Sequence, residues 1–238
     1  MIRTDGRDPG QMRPVSITRD YISHAEGSTL IELGRTRVIC AVSFEEGVPA
    51  FLKGSGQGWV TAEYSMLPRA NAQRTQRESV AGRQKGRSME IQRLIGRSLR
   101  AATDLTAMGE KTFWVDCDVI EADGGTRTAA ITGSYIALHD AVETMIDEGA
   151  IKASPLRGMV AAVSLGVVNG EPLLDLCYEE DVHAELDLNL VANDSSEIIE
   201  IQGTAENRPI SRSELDTLLD MGLAGIRELI EYQRSVLA

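Results

Sequence analysis

Residues 117 to 133 read CDVIEADGGTRTAAITG: a hydrophobic strand-like run, carboxylates, a Gly-Gly-Thr-Arg turn, and a small-residue stretch of helical character. A strand that ends in two glycines and opens a helix is built to receive an anion. Glycines lack the side chains that keep a ligand away from backbone N–H groups, and the helix presents its positive N-terminus at the same point. Arg127 adds a planar guanidinium able to bond two oxygens of a phosphate, and Thr126 adds a hydroxyl donor. The plainer alternative is a tight strand-to-helix connection with a surface arginine. Asp118, Glu121 and Asp123 stand just ahead of the turn, where acids would repel an anion; Asp118 and Asp123 are read as shaping the turn.

Working outward, VSITRDY (15–21) and STLIELGRTRVICAVSF (28–44) alternate as strands, the second a hairpin turning near Gly34 and Arg35. Trp59 to Tyr64 reads as a strand and residues 69 to 86 as a polar, Arg- and Gly-rich loop. From Ser88, a candidate N-cap, Met89, Leu94, Ile95, Leu99 and Ala102 recur at helical spacing, with Arg93, Arg97 and Arg100 on other faces. TFWVDCDVI (112–120) is a strand, and Thr126 or Thr128 opens a helix running to about Glu148. Asn169-Gly170 between apolar runs marks a hairpin in residues 159–178, and AELDLNLVANDSSEIIEIQG (184–203) turns at Asn193 to Ser195. Ser211 and Glu214 form a capping box ahead of an amphipathic helix that reaches nearly to Ala238. The order of elements is that of an α+β fold, with helices on one side of largely antiparallel or mixed sheets. No Pro/Gly/Ser linker interrupts it, and a single domain over 1–238 with a polar extension at 1–11 is the simpler reading.

The chain has 238 residues and a formal net charge of -12, yet the charge is divided. Residues 1 to 100 carry 16 Lys and Arg against 10 Asp and Glu, whereas residues 101 to 238 carry 8 against 26. Nine of the bases fall between Arg69 and Arg100. Exposed charges are screened over roughly 8 Å, so such a patch can attract a phosphate backbone whatever the total. Aromatics are 4% of the chain, so RNA held there is gripped by charge and shape more than by stacking. Cys40, Cys117 and Cys177 are far apart, odd in number and show no CxxC spacing, which fits a reducing cytoplasm and suggests neither a disulfide framework nor a zinc site. No apolar run is long enough to span a membrane.

A second constellation is YEEDVHAELD (178–187), in which Asp181 and Asp187 flank a turn into a strand. Two such carboxylates suit water-coordinated Mg²⁺ in phosphoryl chemistry. Other chemistries fail on spacing. GRQKGRS (82–88) has three residues between its glycines where a P-loop has four, and Arg where Lys belongs; the glycines of KGSGQGWV precede a strand, not a helix; no GxSxG is present.

Taken together, CDVIEADGGTRTAAITG, MRPVSITRDYISHAEGS (12–28), FLKGSGQGWVTAEYSMLPR (51–69), GRSMEIQRLIGRSLRAA (86–102), DVHAELDLN (181–189) and EIQGTAE (200–206) resemble, in order and spacing, the motifs of the ribonuclease PH family. The resemblance implies a ribosomal protein S5 domain 2-like (RNase PH-type) fold and a hexameric ring, a trimer of dimers. It implies a phosphorolytic 3′-to-5′ exoribonuclease acting on tRNA precursors. Inorganic phosphate would be held by Arg87, Gly125, Thr126 and Arg127. Asp181 and Asp187 match the family's acidic pair, assisted by Mg²⁺, and Arg69, Arg74 and Arg77 fall where the family grips tRNA. Glu121 stands where Gln is expected, Cys177 where Glu is usual, His183 where a small residue is usual and Asn207 where Gly is usual. A side chain of Glu121 facing inward would weaken phosphate binding. The rival expectation is a catalytically silent RNA-binding ring subunit, against which the joint presence of Arg87, Thr126, Arg127, Asp181 and Asp187 argues.

Overall fold

The computed structural model describes residues 3–82, 84–205 and 208–238; Arg83 of the GRQKGRS segment, Glu206 and Asn207, and the first two residues of the polar extension lie outside them. Two sheets form. The first contains β1 (Val15–Arg19), β2 (Gly27–Leu33), β3 (Thr36–Glu46), β4 (Trp59–Met66) and β5 (Lys111–Glu121) in the order β1-β2-β3-β5-β4. Only β4 and β5 run parallel, because the chain between them crosses back over one face as a loop and helix α1 (Gly86–Ala101). Along β5 the period is two: Phe113, Val115, Cys117 and Val119 are buried, while Trp114, Asp116 and Asp118 face out.

The second sheet is antiparallel, β7-β6-β8-β9, from β6 (Val160–Val168), β7 (Glu171–Leu174), β8 (Leu186–Asn193) and β9 (Ile198–Ala205). Asn169 and Gly170 both adopt positive φ in the β6–β7 turn, as the tight primed turn requires. All nine residues of β6 are buried, since a helix covers each face of this sheet. One is α3 (Thr126–Asp147), packed also on β2 and β3; the other is α5 (Arg212–Leu237), opened by the expected Ser211–Glu214 capping box. Helix α3 is apolar nearly all round because it lies between the sheets. Its small residues set the spacing: a Cβ on Gly133 would stand 2.7 Å from Ile31 Cγ2.

Three local expectations are corrected. Helix α1 starts at Gly86 with Lys85 as N-cap, and Ser88, inside the first turn, donates its hydroxyl to Glu78 Oε1 at 2.6 Å. Met89 is exposed, and Ile91 takes the buried position expected of it. The turn between Asp181 and Asp187 contains the end of a short helix, α4 (Tyr178–Val182), whose N-cap is Cys177. A further helix, α2 (Leu105–Met108), is capped by Asp104.

The polar extension proves to be a strap with a buried underside. Arg3 is 2% exposed and Arg13 5%. Arg3 grips Glu180 with two bonds of 2.7 Å and donates to the carbonyls of Leu174 and Asp175 at 2.8 Å. Arg7 donates to the Asp175 carbonyl at 3.1 Å, and Leu174 N–H bonds the Pro9 carbonyl at 2.8 Å. Arg13 makes a fork with Asp175, Nε to Oδ2 at 2.9 Å and Nη2 to Oδ1 at 2.6 Å. Asp175 itself sits at φ 55°, a left-handed conformation that Asp and Asn tolerate. Asp175→Asn keeps shape and backbone preference while leaving the buried Arg13 guanidinium short of its counter-charge. It is expected to cost about 3 kcal/mol in chemical denaturation and to speed hydrogen exchange at the amides of Gly6 and Gln11.

Candidate active site

The β5–α3 turn is shaped by its glycines. Gly124 and Gly125 both take left-handed φ, 77° and 64°, and Gly125 caps α3 without any side-chain cap bond. The first N–H groups of the helix are therefore left for a ligand. Gly124 is held to the chain behind it: a Cβ there would lie 2.9 Å from the Cys177 carbonyl carbon. Thr36 closes the turn by donating to the Gly124 carbonyl at 2.6 Å and accepting from Asp123 N–H at 2.9 Å. Arg13, already bound to Asp175, donates to the carbonyls of Asp123 and Gly124.

The side chains above the turn are oriented as donors. Tyr64 O–H donates to Thr126 Oγ1 at 2.8 Å, which leaves the threonine hydroxyl proton free to point elsewhere. Burial pushes the Tyr64 hydroxyl above its ordinary pKa, so it stays a donor at neutral pH. Arg127 donates from Nη1 to Gln202 Oε1 at 2.9 Å and lies 3.3 Å from Glu90, which fixes one edge of the guanidinium. Arg87, Gly125, Thr126, Arg127, Asp181 and Asp187 line one recess of about 40 Å³ together with Ser164, Leu176 and Asn189. That is room for roughly three water-sized groups, the scale of a small tetrahedral oxyanion. All six residues expected at the phosphate and acidic sites thus meet, although they come from α1, the β5–α3 turn, α4 and β8.

Asp181 is exposed and Asp187 half-buried on a central strand. As donors they suit Mg²⁺, which binds through one or two carboxylates and keeps water and phosphate oxygens as its other ligands. His183 is exposed, with Nδ1 2.7 Å from the Glu179 carbonyl. Glu121 turns away from the recess, toward Arg37 at 3.4 Å and Arg35 at 3.5 Å. Asp123 shapes the turn as expected, accepting from Tyr178 N–H at 3.3 Å. Asp118 instead borders a larger cavity of about 560 Å³.

Arg87 and Arg77 border that larger cavity too, whereas Arg69 and Arg74 line neither space. Arg69, Arg74 and Arg77 are exposed and have no ion pair among the described residues. Two arginines of α1, Arg97 and Arg100, behave differently. Arg97 forms a two-bond pair with Glu200 of β9 at 2.6 and 2.8 Å. Arg100 stacks 4.2 Å over the Trp59 ring and donates to the Val60 carbonyl, so neither is left for a polyanion.

Sequence reasoning missed Arg13, Ser164, Asn189 and Gln202. Asn189 carried a signal, standing two residues beyond Asp187 and so on its face of a strand. Ser164 was the one hydroxyl in an otherwise apolar strand. Arg13 and Gln202 stood inside the quoted motifs at 12–28 and 200–206, but nothing local marked their roles, since their partners lie far away in the chain.

Residues 11–142 match domain 1 of the 3′ exoribonuclease family and residues 158–225 match its domain 2. Three solved structures share the fold at 23% identity each. Rice (Oryza sativa) Rrp46 has a TM-score of 0.80 over 99% of this chain and 100% of that one. The Archaeoglobus fulgidus exosome with RNA bound to the active site gives 0.82 over 97% and 92%, and an archaeal exosome core 0.78 over 98% and 91%. With the family's two domains matched in order over most of its length, the chain belongs to the RNase PH-type 3′ exoribonuclease family.

Proposed function

We propose that this protein is a phosphate-dependent 3′-to-5′ exoribonuclease that trims the 3′ ends of tRNA precursors in the cytoplasm, working as a homohexameric ring and releasing nucleoside diphosphates. The observation that carries the reading is the convergence of Arg87, Arg127 and the left-handed Gly-Gly turn with Asp181 and Asp187 on one phosphate-sized recess. The Archaeoglobus fulgidus exosome of the same fold, which has RNA bound to the active site, supports RNA as the substrate class.

In phosphorolysis an oxygen of inorganic phosphate forms a bond to the terminal phosphorus, and the bond from that phosphorus to the 3′-oxygen of the preceding nucleotide breaks. The leaving oxygen takes up a proton, and the new phosphoanhydride leaves as a nucleoside diphosphate. An anion attacks an anion, so the barrier is dominated by charge and alignment. Arg87, Arg127, Thr126 and the first N–H groups of α3 neutralise and hold the attacking phosphate, with no activated water required. Asp181 and Asp187 would hold Mg²⁺, which would supply charge compensation for the phosphoryl oxygens. Exchange of a phosphate ester for a phosphoanhydride makes the reaction readily reversible, so the same site would add nucleotides from diphosphates. The exposed Arg69, Arg74 and Arg77 would grip the RNA backbone beyond the site.

With a 3′-tailed RNA and Mg²⁺, nucleoside diphosphates are expected only when phosphate is present. Monophosphates without phosphate would mean hydrolysis, and no product would mean a silent ring subunit. Arg127→Ala should lower turnover by roughly 10³-fold or more with the ring intact; near-normal rates would remove Arg127 from the site. Replacing Arg69, Arg74 and Arg77 together by Ala should flatten the slope of log affinity for single-stranded RNA against log salt by about 2, and an unchanged slope would place RNA elsewhere. Because Glu121 faces Arg35 and Arg37, Glu121→Gln should leave the KM for phosphate within about twofold. A larger fall in KM would restore the like-charge penalty.

A further inference from the structure

Two of the side chains lining the recess, Ser164 and Asn189, belong to a row of polar side chains that crosses three strands. On β8, Leu186, Leu188 and Leu190 pack into the cluster under α5, which sends Asp187 and Asn189 to the opposite face, toward the recess. Asn189 lies directly opposite Ser164 of β6 on one side and Gln202 of β9 on the other. Neighbouring strands are about 4.8 Å apart, so the row sets three polar groups beneath the N-terminus of α3 at regular intervals.

The outer members of the row are bonded within the protein. Ser164 Oγ accepts from Leu176 N–H at 3.2 Å, and Gln202 accepts from Arg127 at 2.9 Å while donating to Glu200 at 3.1 Å. Asn189 between them is 6% exposed, and its carboxamide has no hydrogen-bond partner among the described residues. Its backbone is paired on both sides within the sheet, so the side chain is what it presents to the recess. The carboxamide keeps open surface at the wall of a polar recess, where its hydrogen bonds are completed by what fills the recess.

Resting on the phosphorolytic reading above, we propose that Asn189 is a further catalytic residue, its carboxamide donating from Nδ2 to an oxygen of the bound inorganic phosphate. The contact comes from the sheet side, across from Arg127 and the helix N-terminus. The nucleophile is thereby held from two directions, as alignment with the scissile phosphorus demands. A neutral donor is the suitable group there. Asp181 and Asp187 already bring two negative charges to the same space, and a third carboxylate would oppose the anion.

The test is equilibrium dialysis of radiolabelled inorganic phosphate against wild-type protein, Asn189→Ala and Asn189→Asp, beside steady-state phosphorolysis of a 3′-tailed RNA. Phosphate affinity is expected to fall about fivefold in Asn189→Ala and about thirtyfold or more in Asn189→Asp, with the KM for phosphate rising in parallel. RNA affinity measured without phosphate, and the thermal midpoint, should stay at wild-type values in Asn189→Ala. A purely structural amide would move the midpoint and leave the KM for phosphate alone, which would overturn the proposal. Should Asn189→Asp fail to assemble, Asn189→Ala decides, because it adds no charge. Wild-type protein that binds phosphate without releasing diphosphates would overturn the phosphorolytic function, while weakened binding in Asn189→Ala would still support the contact. Wild-type protein that binds no phosphate overturns both.

Discussion

The guanidinium of Arg13 is where the two halves of the molecule are tied to one site. On one side it forks onto Asp175, at the end of β7 in the second sheet; on the other it donates to the carbonyls of Asp123 and Gly124, in the turn that leaves the first sheet. A buried cation tolerates this position only with nearly all its donors satisfied, so the pair is stringent about geometry even if its net contribution to stability is small. Its effect is positional. The anion cradle is built on β5 and α3, whereas Asp181 stands on α4 and Asp187 on β8, and these must face one another across a space of about 40 Å³. Arg3, by gripping Glu180 inside α4, extends the same constraint to the helix that bears Asp181. Residues that looked like a polar extension are therefore part of the scaffold.

The site's chemistry follows from where α3 lies. A helix wedged between two sheets must be narrow, and its Ala- and Gly-rich sequence meets that need. The same wedge brings its N-terminus to the point where both sheets contribute side chains. Formal charge at the recess then nearly cancels, two arginines against two aspartates. Anion binding cannot rest on net charge in such a place. It rests on directed donors, namely the capless helix N-terminus, the Thr126 hydroxyl freed by Tyr64, and the Arg127 guanidinium held at one edge.

What was legible in the sequence was what is local in the chain. Asn169-Gly170, the Gly124-Gly125 turn and the Ser211–Glu214 box each state their conformation within four residues, and each appears in the fold. Ser88 misled because a hydroxyl near a helix start has more than one use, and Glu78 from the preceding loop took it. Met89 misled because it stands two residues, about 200° of helix, from Ile91 and so falls opposite the buried face. The recess itself was found through motifs separated by a hundred residues, but the polar row beside it was not. Ser164, Asn189 and Gln202 become neighbours only through strand register, and nothing local in the sequence specifies which strands pair.

The divided charge of the chain also reads differently once folded. The basic first part and the acidic second part suggested a free basic face, but some of its cations are spent within the chain: Arg97 of α1 is matched by Glu200 of β9, and Arg100 is seated on Trp59. Arg69, Arg74 and Arg77 remain exposed on the loop ahead of α1. They have no ion pair among the described residues to give up when a phosphate backbone arrives, so contact with RNA there costs no broken salt bridge. Arg127 is in the opposite situation, already bonded to Gln202 and set beside Glu90. Cations that must follow a flexible polymer are left mobile and solvated. Arg127, which must align a single small anion, is fixed in advance, and this lowers the ordering entropy lost when the anion binds.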